Sequence, residues 1–240
     1  MLCKTHGIVL NHTRYGESNA IFHIFTRELG MQSYMVNGVF GKKKRDKALL
    51  LQPLCILELE VYHKDNKDIQ RIKEFKLARH FERLPFVQER RAQLFFVAEI
   101  LLRILRNENA NHPLYDFITE SILFLDSDCE GIENFHLFFL FKLTKYLGFY
   151  PNNAHAGKLA FFDFHDGNFA EHEPQHPYFI PPSEAQIFNR LFSCSNSTLK
   201  QLAVNVNERR ILQKSLLALY DRHFAGLGKL RTVDVLPELF

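Results

Sequence analysis

Tryptophan is absent from this chain and cysteine is scarce. The four cysteines, Cys3, Cys55, Cys129 and Cys194, lie about fifty or more positions apart, which leaves no Cys-x-x-Cys knuckle and no compact disulfide scaffold. A reducing cytoplasm suits thiols used this way. No apolar run reaches the roughly 18 residues of a membrane span. The two richest stretches, "LFFVAEILLRIL" and "FHLFFLFKLTKYLGFY", carry Glu99 and Arg103 in one and Lys142 and Lys145 in the other. Both read as buried helices, so no membrane partner is expected. "MLCKTHG" has no apolar h-region, and secretion is not expected. Also missing are the Gly-x-Ser-x-Gly elbow, the Walker loop and the Gly-x-Gly-x-x-Gly turn. With them go the commonest signs of a nucleophilic hydrolase or a nucleotide-binding enzyme. No fixed-period repeat or low-complexity tract stands out.

What is present in excess is positive charge near one end. Residues 1–80 hold 14 Lys and Arg against 8 Asp and Glu, a net of +6, while the remainder holds 16 against 19, a net of −3. The densest part is "GVFGKKKRDKALLLQP", where Lys42, Lys43, Lys44, Arg45 and Lys47 fill five of six positions. Self-repulsion makes such a run costly for a compact fold. A solvated loop is the bland reading. A basic module on a mildly acidic body favours a loop that meets a polyanion.

The first 80 residues read as β-structure. "HGIVLNHTRY", "AIFHIFTREL" and "MQSYMVNGVF" are short β-branched and aromatic runs punctuated by glycine. In "LCILELEVYH", Cys55, Leu57, Leu59 and Val61 alternate with Glu58 and Glu60, the pattern of a half-buried strand. "DIQRIKEFK" is ambiguous: Ile69, Ile72 and Phe75 have helical spacing, but a fifth strand suits the module better. Five short strands in this length fit a small OB-like or SH3-like barrel, and the OB barrel is the better match in size.

From Pro85 the period changes. Leu94, Val97, Ala98, Leu101, Leu102 and Leu105 form an amphipathic stripe, and a second helix starts at His112-Pro113. A third, Ile132 to about Leu147, is apolar nearly all round and belongs at a bundle centre. Residues 152–182 lack helical periodicity. "SEAQ" offers a capping box, Ser183 with Gln186, to open a further helix, and a last helix runs from about Glu208 to Phe224. The expected fold is α+β: a five-stranded OB-fold barrel over 1–80, then a mainly α-helical domain over 81–240 with a small irregular insertion at about 152–182.

Candidate chemistry is thin outside the basic run. His155, His165, His172 and His176 cluster, with Asp163, Asp166 and Glu171 nearby, but Pro174 and Pro177 break the helix that a His-x-x-x-His chelate needs. An exposed polar loop without metal or cofactor is the reading. Cys3 and Cys55 fall in expected strands, where inert thiols are the default. Glu58 and Glu60 read as solubilising. An enzyme is not expected.

Lys42, Lys43, Lys44, Arg45 and Lys47 would stand between the third and fourth strands, with Lys4, Arg14, Arg71 and Lys73 in neighbouring elements. Neutralising phosphates releases condensed counterions, which needs such a cluster. Most nearby rings belong to the core, but Tyr15, Tyr34 or Phe40 could face outward and stack bases. A second basic group, from Arg209 and Arg210 to Arg231, either extends a DNA path, binds a partner or is simply solvated.

At "GIVLNHTRYGESNAIFHIFTRELG" the chain resembles the RecO family of bacterial recombination mediators. The resemblance continues through "LQPLCILELEVY", "LFFLFKLTKYLGFYPN" and "GLGKLRTVDVLPEL". It implies an N-terminal OB fold, a helical C-terminal domain, and a non-enzymatic DNA repair protein of the RecF pathway, cytoplasmic and nucleoid-associated. Such a protein binds single- and double-stranded DNA, anneals complementary strands, and helps load RecA together with RecR on DNA coated by single-stranded DNA-binding protein (SSB). A pocket for the acidic C-terminal tail of SSB is implied in the helical domain, with Lys142 and Lys145 as candidates. Many relatives carry a four-cysteine zinc site after the "LGFYPN" block. Here "NNAHAGKLAFFDFHDGNFAEHEPQHPYF" has no cysteine, so a degenerate zinc-finger-like region held by packing is expected, with a His/Asp substitute left open. The residues alone leave two other readings: an OB-fold adaptor for acidic peptides, and an RNA-binding OB protein.

Overall fold

The computed structural model describes residues 1–40, 51–156, 160–224, 227, 228 and 230–233. The chain divides into two compact units, Met1–Asp126 and Ser127–Phe240.

The first unit opens with β1 (Leu2–Tyr15), β2 (Asn19–Thr26), β3 (Gly30–Val36), β4 (Ile56–Tyr62) and β5 (Ile69–Leu77). They close into a barrel in the order β1-β2-β3-β5-β4, with β3 parallel to β5. This is the OB-like barrel expected from the strand count. Closure depends on β1, which pairs with β4 through Leu2–Ile8 and with β2 through Gly7–Tyr15, bending at a register shift between Val9 and Asn11. Gly7 sits at the changeover, where a Cβ would come within 2.6 Å of Ile24 and 2.7 Å of Leu59. Val9, Phe22, Ile24, Tyr34, Leu57, Leu59 and Val61 fill the interior.

The ambiguous "DIQRIKEFK" is strand β5. Glu60 and Val61 of β4 face Glu74 and Ile72, so Lys73 is an extra residue in the ladder. The bulge lets Ile72 and Phe75 both pack against the core although they are three apart. Helical spacing here is therefore a bulged strand.

Two helices complete the unit, α1 (Gln88–Ile104) and α2 (His112–Asp126). Asn111 caps α2 by accepting from the Leu114 N–H at 3.1 Å. At the other end, the Asp126 carboxylate collects the N–H groups of Glu82, Arg83 and Leu84 at 2.8–3.0 Å. The buried Arg90 donates to the Leu125 carbonyl.

The second unit centres on α3 (Phe135–Tyr146), whose residues from Phe135 to Phe141 are all buried. A three-stranded sheet follows in the order β7-β6-β8, from β6 (Phe161–Asp163), β7 (Asn168–Ala170) and β8 (Phe179–Ile180). Then come α4 (Pro182–Asn189) and α5 (Val206–His223), with short 3-10 turns between. Phenylalanine supplies the bulk that tryptophan does not: Phe141 meets Phe192 and Phe188, and Phe188 meets Phe162, at centroid distances of 4.6–5.7 Å. Tyr220 donates its hydroxyl to the Leu140 carbonyl at 2.8 Å.

The Ser183–Gln186 capping box does not form. The helix starts at Pro182, with Pro181 in the cap position and no side-chain cap bond. The N–H groups of Glu184 and Ala185 donate instead to the Pro181 carbonyl at 3.0 and 2.9 Å, so Ser183 lies inside the first turn and not at its cap. A capping box does open α5, where Asn205 and Glu208 exchange bonds at 2.9 and 3.0 Å. Among the described residues no helix is long and apolar enough to cross a membrane.

The His/Asp-rich stretch around β6 is tied to itself. His176 Nε2 lies 3.2 Å from Asp163, His165 Nδ1 lies 2.9 Å from Asp166, and Asp163 accepts the His165 N–H at 2.7 Å. Among the described residues no group of three or more His, Cys, Asp or Glu is placed to hold a metal ion. The four cysteines are free thiols, and burial pushes those of Cys55 and Cys194 up.

Candidate nucleic-acid interface

Lys42, Lys43, Lys44, Arg45 and Lys47 lie outside the described residues. Both flanks of their segment are anchored in the barrel: Val39 is 2 % exposed before it and Leu51 1 % after it. The preceding stem is tied to the β1–β2 turn, since Gly38 N donates to Asn19 Oδ1 at 3.1 Å and Phe40 N to Ser18 O at 3.2 Å. Phe40, 41 % exposed, stands beside the turn with the Arg14 guanidinium 5.3 Å above its ring and His12 at 6.0 Å. Arg14 donates across the turn to Glu17 O at 3.0 Å, and Tyr15 is 56 % exposed next to it. Phe40, the last described residue before the basic segment, thus belongs to an exposed patch of one arginine and two aromatic rings.

The other candidates separate from this patch. Tyr34 is corrected: it is completely buried in the barrel, because its position on β3 alternates inward, and it offers no stacking face. Lys73, the bulge residue, lies 3.1 Å from Glu60, which raises its pKa through the hydrogen bond. Lys76 and Glu58 make a second such pair at 2.9 Å. Lys4 faces Glu60 across β1 and β4 and shares a surface pocket with Glu28, Glu58, Glu60 and Glu74. That side of the barrel is acidic. Arg71 is exposed on β5 between Met35 and Tyr62, with no ion pair among the described residues.

On the outer face of β1, β2 and β3 opens a polar groove of about 880 Å3 that sequence reading missed. Its floor is the cross-strand row Asn11, His23 and Ser33, with His23 Nδ1 3.1 Å from Ser33 Oγ. Burial holds His23 below its ordinary pKa. One wall is the β4–β5 loop, braced by the buried Gln70, which donates to the carbonyls of Lys64 and Lys67 at 2.7 Å. The opposite wall is the segment after α1, with Arg106, Asn107 and Asn109. Gly30 brings that wall in. Its φ is +68°, and a Cβ there would lie 2.4 Å from the Glu108 carbonyl oxygen, which accepts the Met31 N–H at 2.9 Å. Only "RELG" and the polar run "NENANH" hint at this groove in the sequence.

In the second unit Lys142 is half-buried, its ammonium 5.5 and 6.0 Å from the rings of Phe141 and Phe138, and desolvation pulls its pKa down. Lys145, one turn on, is exposed. Arg210 is also exposed, but Arg209 is a structural tie. It donates to the buried Asn134 side chain at 3.0 Å, and Asn134 in turn donates to the Leu202 carbonyl at 3.1 Å.

Residues 1–81 match the family model "Recombination protein O N terminal", and residues 89–231 match "Recombination protein O C terminal". The proteins named DNA repair protein RecO from Phocaeicola vulgatus, Bacteroides fragilis and Flavobacterium psychrophilum are 35%, 35% and 33% identical over 240, 243 and 242 residues, with 100% of each chain covered. A closed five-strand barrel, a helical region after it, and matches that run from end to end lead to one conclusion: the chain belongs to the RecO family.

Proposed function

We propose that this protein is a non-enzymatic DNA repair and recombination mediator of the RecF pathway, acting in the cytoplasm at the nucleoid. It grips the backbones of single- and double-stranded DNA and brings complementary strands together. The observation that carries the reading is the basic segment from Lys42 to Lys47, whose flanks Val39 and Leu51 are fixed in the barrel core beside exposed Arg14, Tyr15 and Phe40. Cations there neutralise phosphates, and the rings offer sequence-tolerant stacking. Phosphate contacts position a strand without reading it, so base edges stay free to pair, as annealing requires. Arg71 adds an exposed cation on the barrel and Arg210 a separate one on the second unit, whereas Lys4, Lys73 and Arg209 contribute less because carboxylates or a buried amide engage or surround them.

Lys142 and Lys145 are assigned to the acidic tail of SSB: two cations on one helix, the first beside phenylalanine rings, suit an acidic peptide. RecR and, indirectly, RecA complete the partner set, on the strength of family membership. Fluorescence anisotropy with DNA, RNA and an acidic peptide, each at two salt concentrations, tests the reading beside a strand-annealing assay. The expected result is salt-sensitive DNA binding with accelerated annealing. Tighter binding to RNA, or to the peptide alone, with no annealing, would contradict it.

A further inference from the structure

We infer that the outer face of α1 is a self-association surface, where a second copy of this chain docks its own α1 antiparallel about a two-fold axis at Phe95. This goes beyond the DNA-binding reading and does not depend on it.

The helix carries two faces. Gln93, Val97, Ile100, Leu101 and Ile104 are buried on one side, at the spacing a period of 3.6 requires. On the other side Phe95 is 48 % exposed, and Phe86, just before the helix, is 79 % exposed. Neither ring has an aromatic partner among the described residues. Arg91 and Glu99 lie four positions to either side of Phe95, and Gln88 and Leu102 seven positions to either side. All four therefore share its face. A line that runs from a cation through an aromatic centre to an anion is complementary to its own reverse.

Such a line is what an isologous contact needs. An antiparallel copy centred on Phe95 sets the two Phe95 rings together. At a rise of about 1.5 Å per residue it brings Arg91 of each copy level with Glu99 of the other, about 6 Å from the axis. Gln88 of each comes level with Leu102 of the other about 10.5 Å out, with the exposed Phe86 nearby. Arg91 is exposed and makes no ion pair among the described residues. Glu99 holds Arg103 at 2.6 Å, and a carboxylate can accept from more than one cation. Ala92, small and half-buried beside Phe95, leaves room for the second helix to approach.

Other occupants fit less well. An acidic peptide or a nucleic acid would answer Arg91 and be repelled by Glu99. A contact confined to one helix and its entry falls below about 1,200 Å2 in total, so the dimer is weak and forms with rising concentration. Each dimer carries two barrels, which on the DNA-binding reading lets one particle hold two strands.

Sedimentation of the full chain without DNA, from low to high micromolar concentration, tests this. The parent is expected to shift from monomer towards dimer. Arg91→Glu and Glu99→Lys each place like charges across the interface twice, and each alone is expected to weaken self-association at least about tenfold. Mixed in equal amounts, the two variants are expected to associate again, because the two new charges then face each other and one native pair is kept. A monomeric parent at every concentration, variants that associate like the parent, or a mixture no stronger than either variant would overturn the assignment. Thermal melts check that Glu99→Lys folds without its Arg103 pair. If it does not, Phe95→Ala decides: a dimer that survives this change overturns the assignment, and its loss with the fold intact supports it. Anisotropy of the parent with DNA reports separately on the DNA-binding reading, so either can fail without the other.

Discussion

Gly30 and His136 show how much can depend on one side chain or its absence. Alanine at position 30 would have to keep a φ of +68° and place its Cβ against backbone atoms of residues 108–110. Gly30→Ala is expected to cost about 1–3 kcal/mol, read as a lower urea midpoint. An unchanged midpoint would mean that the wall moves away without penalty. His136 on α3 is completely buried beside Gln213, and desolvation, then the nearby Arg209 charge, hold its pKa down to about 3. In the unfolded chain the ring takes a proton below its ordinary 6.5, but the folded chain refuses it. Stability is therefore fully present above pH 6.5 and falls as pH drops from there towards 3, by at most about 1.4 kcal/mol per pH unit from this group. Thermal melts of the parent and His136→Gln across that range should diverge, with the flatter profile in the variant. Parallel profiles would contradict the assignment. At this scale Lys73 was misleading in the sequence: its partner Glu60 sits on the neighbouring strand, and no local pattern announces a cross-strand ion pair. Tyr34 was misleading too, since a barrel strand with one buried face gives an aromatic no outward choice at an inward position.

Elements were legible where their periodicity was undisturbed. The alternation in β4 and the wholly apolar α3 could be read directly from residue order. Strand β5 resisted because the bulge at Lys73 converts a period of two into a spacing of three. The start of α4 differs from the expected one because Ser183 and Gln186 have capping-box spacing two residues beyond the actual cap position, Pro181, with Pro182 already opening the helix. The real box, Asn205 with Glu208, was overlooked in favour of the longer apolar stripe beyond it. This contrast is measurable. Asn205→Ala should lower stability by about 1 kcal/mol, whereas Ser183→Ala should stay within about 0.5 kcal/mol. Equal losses in denaturant titrations would show that Ser183 caps after all. Beyond the hints in "RELG" and "NENANH" the groove could not be read, because it is assembled from strands, a loop and a helix exit far apart in sequence.

At the scale of the molecule the governing feature is where charge is placed. The barrel carries its acids on the β4–β5 side, in pairs with Lys73 and Lys76, and its exposed arginine and rings at the β1–β2 turn. The basic segment follows Phe40 beside that turn in sequence and precedes the buried Leu51, and under the proposed function a bound polyanion would relieve its self-repulsion. The family was readable from resemblance and the basic bias of the first 80 residues from composition. The division of the patch from the acidic side was not, because it depends on which strands close the barrel. The most direct measurement is the salt dependence of affinity for single-stranded DNA in the parent and in a variant with Lys42→Ala, Lys43→Ala, Lys44→Ala and Arg45→Ala. A slope of log affinity against log salt that becomes shallower by roughly three is the predicted result, at about 0.7 for each phosphate left without its cation. An identical slope in both proteins would contradict the account.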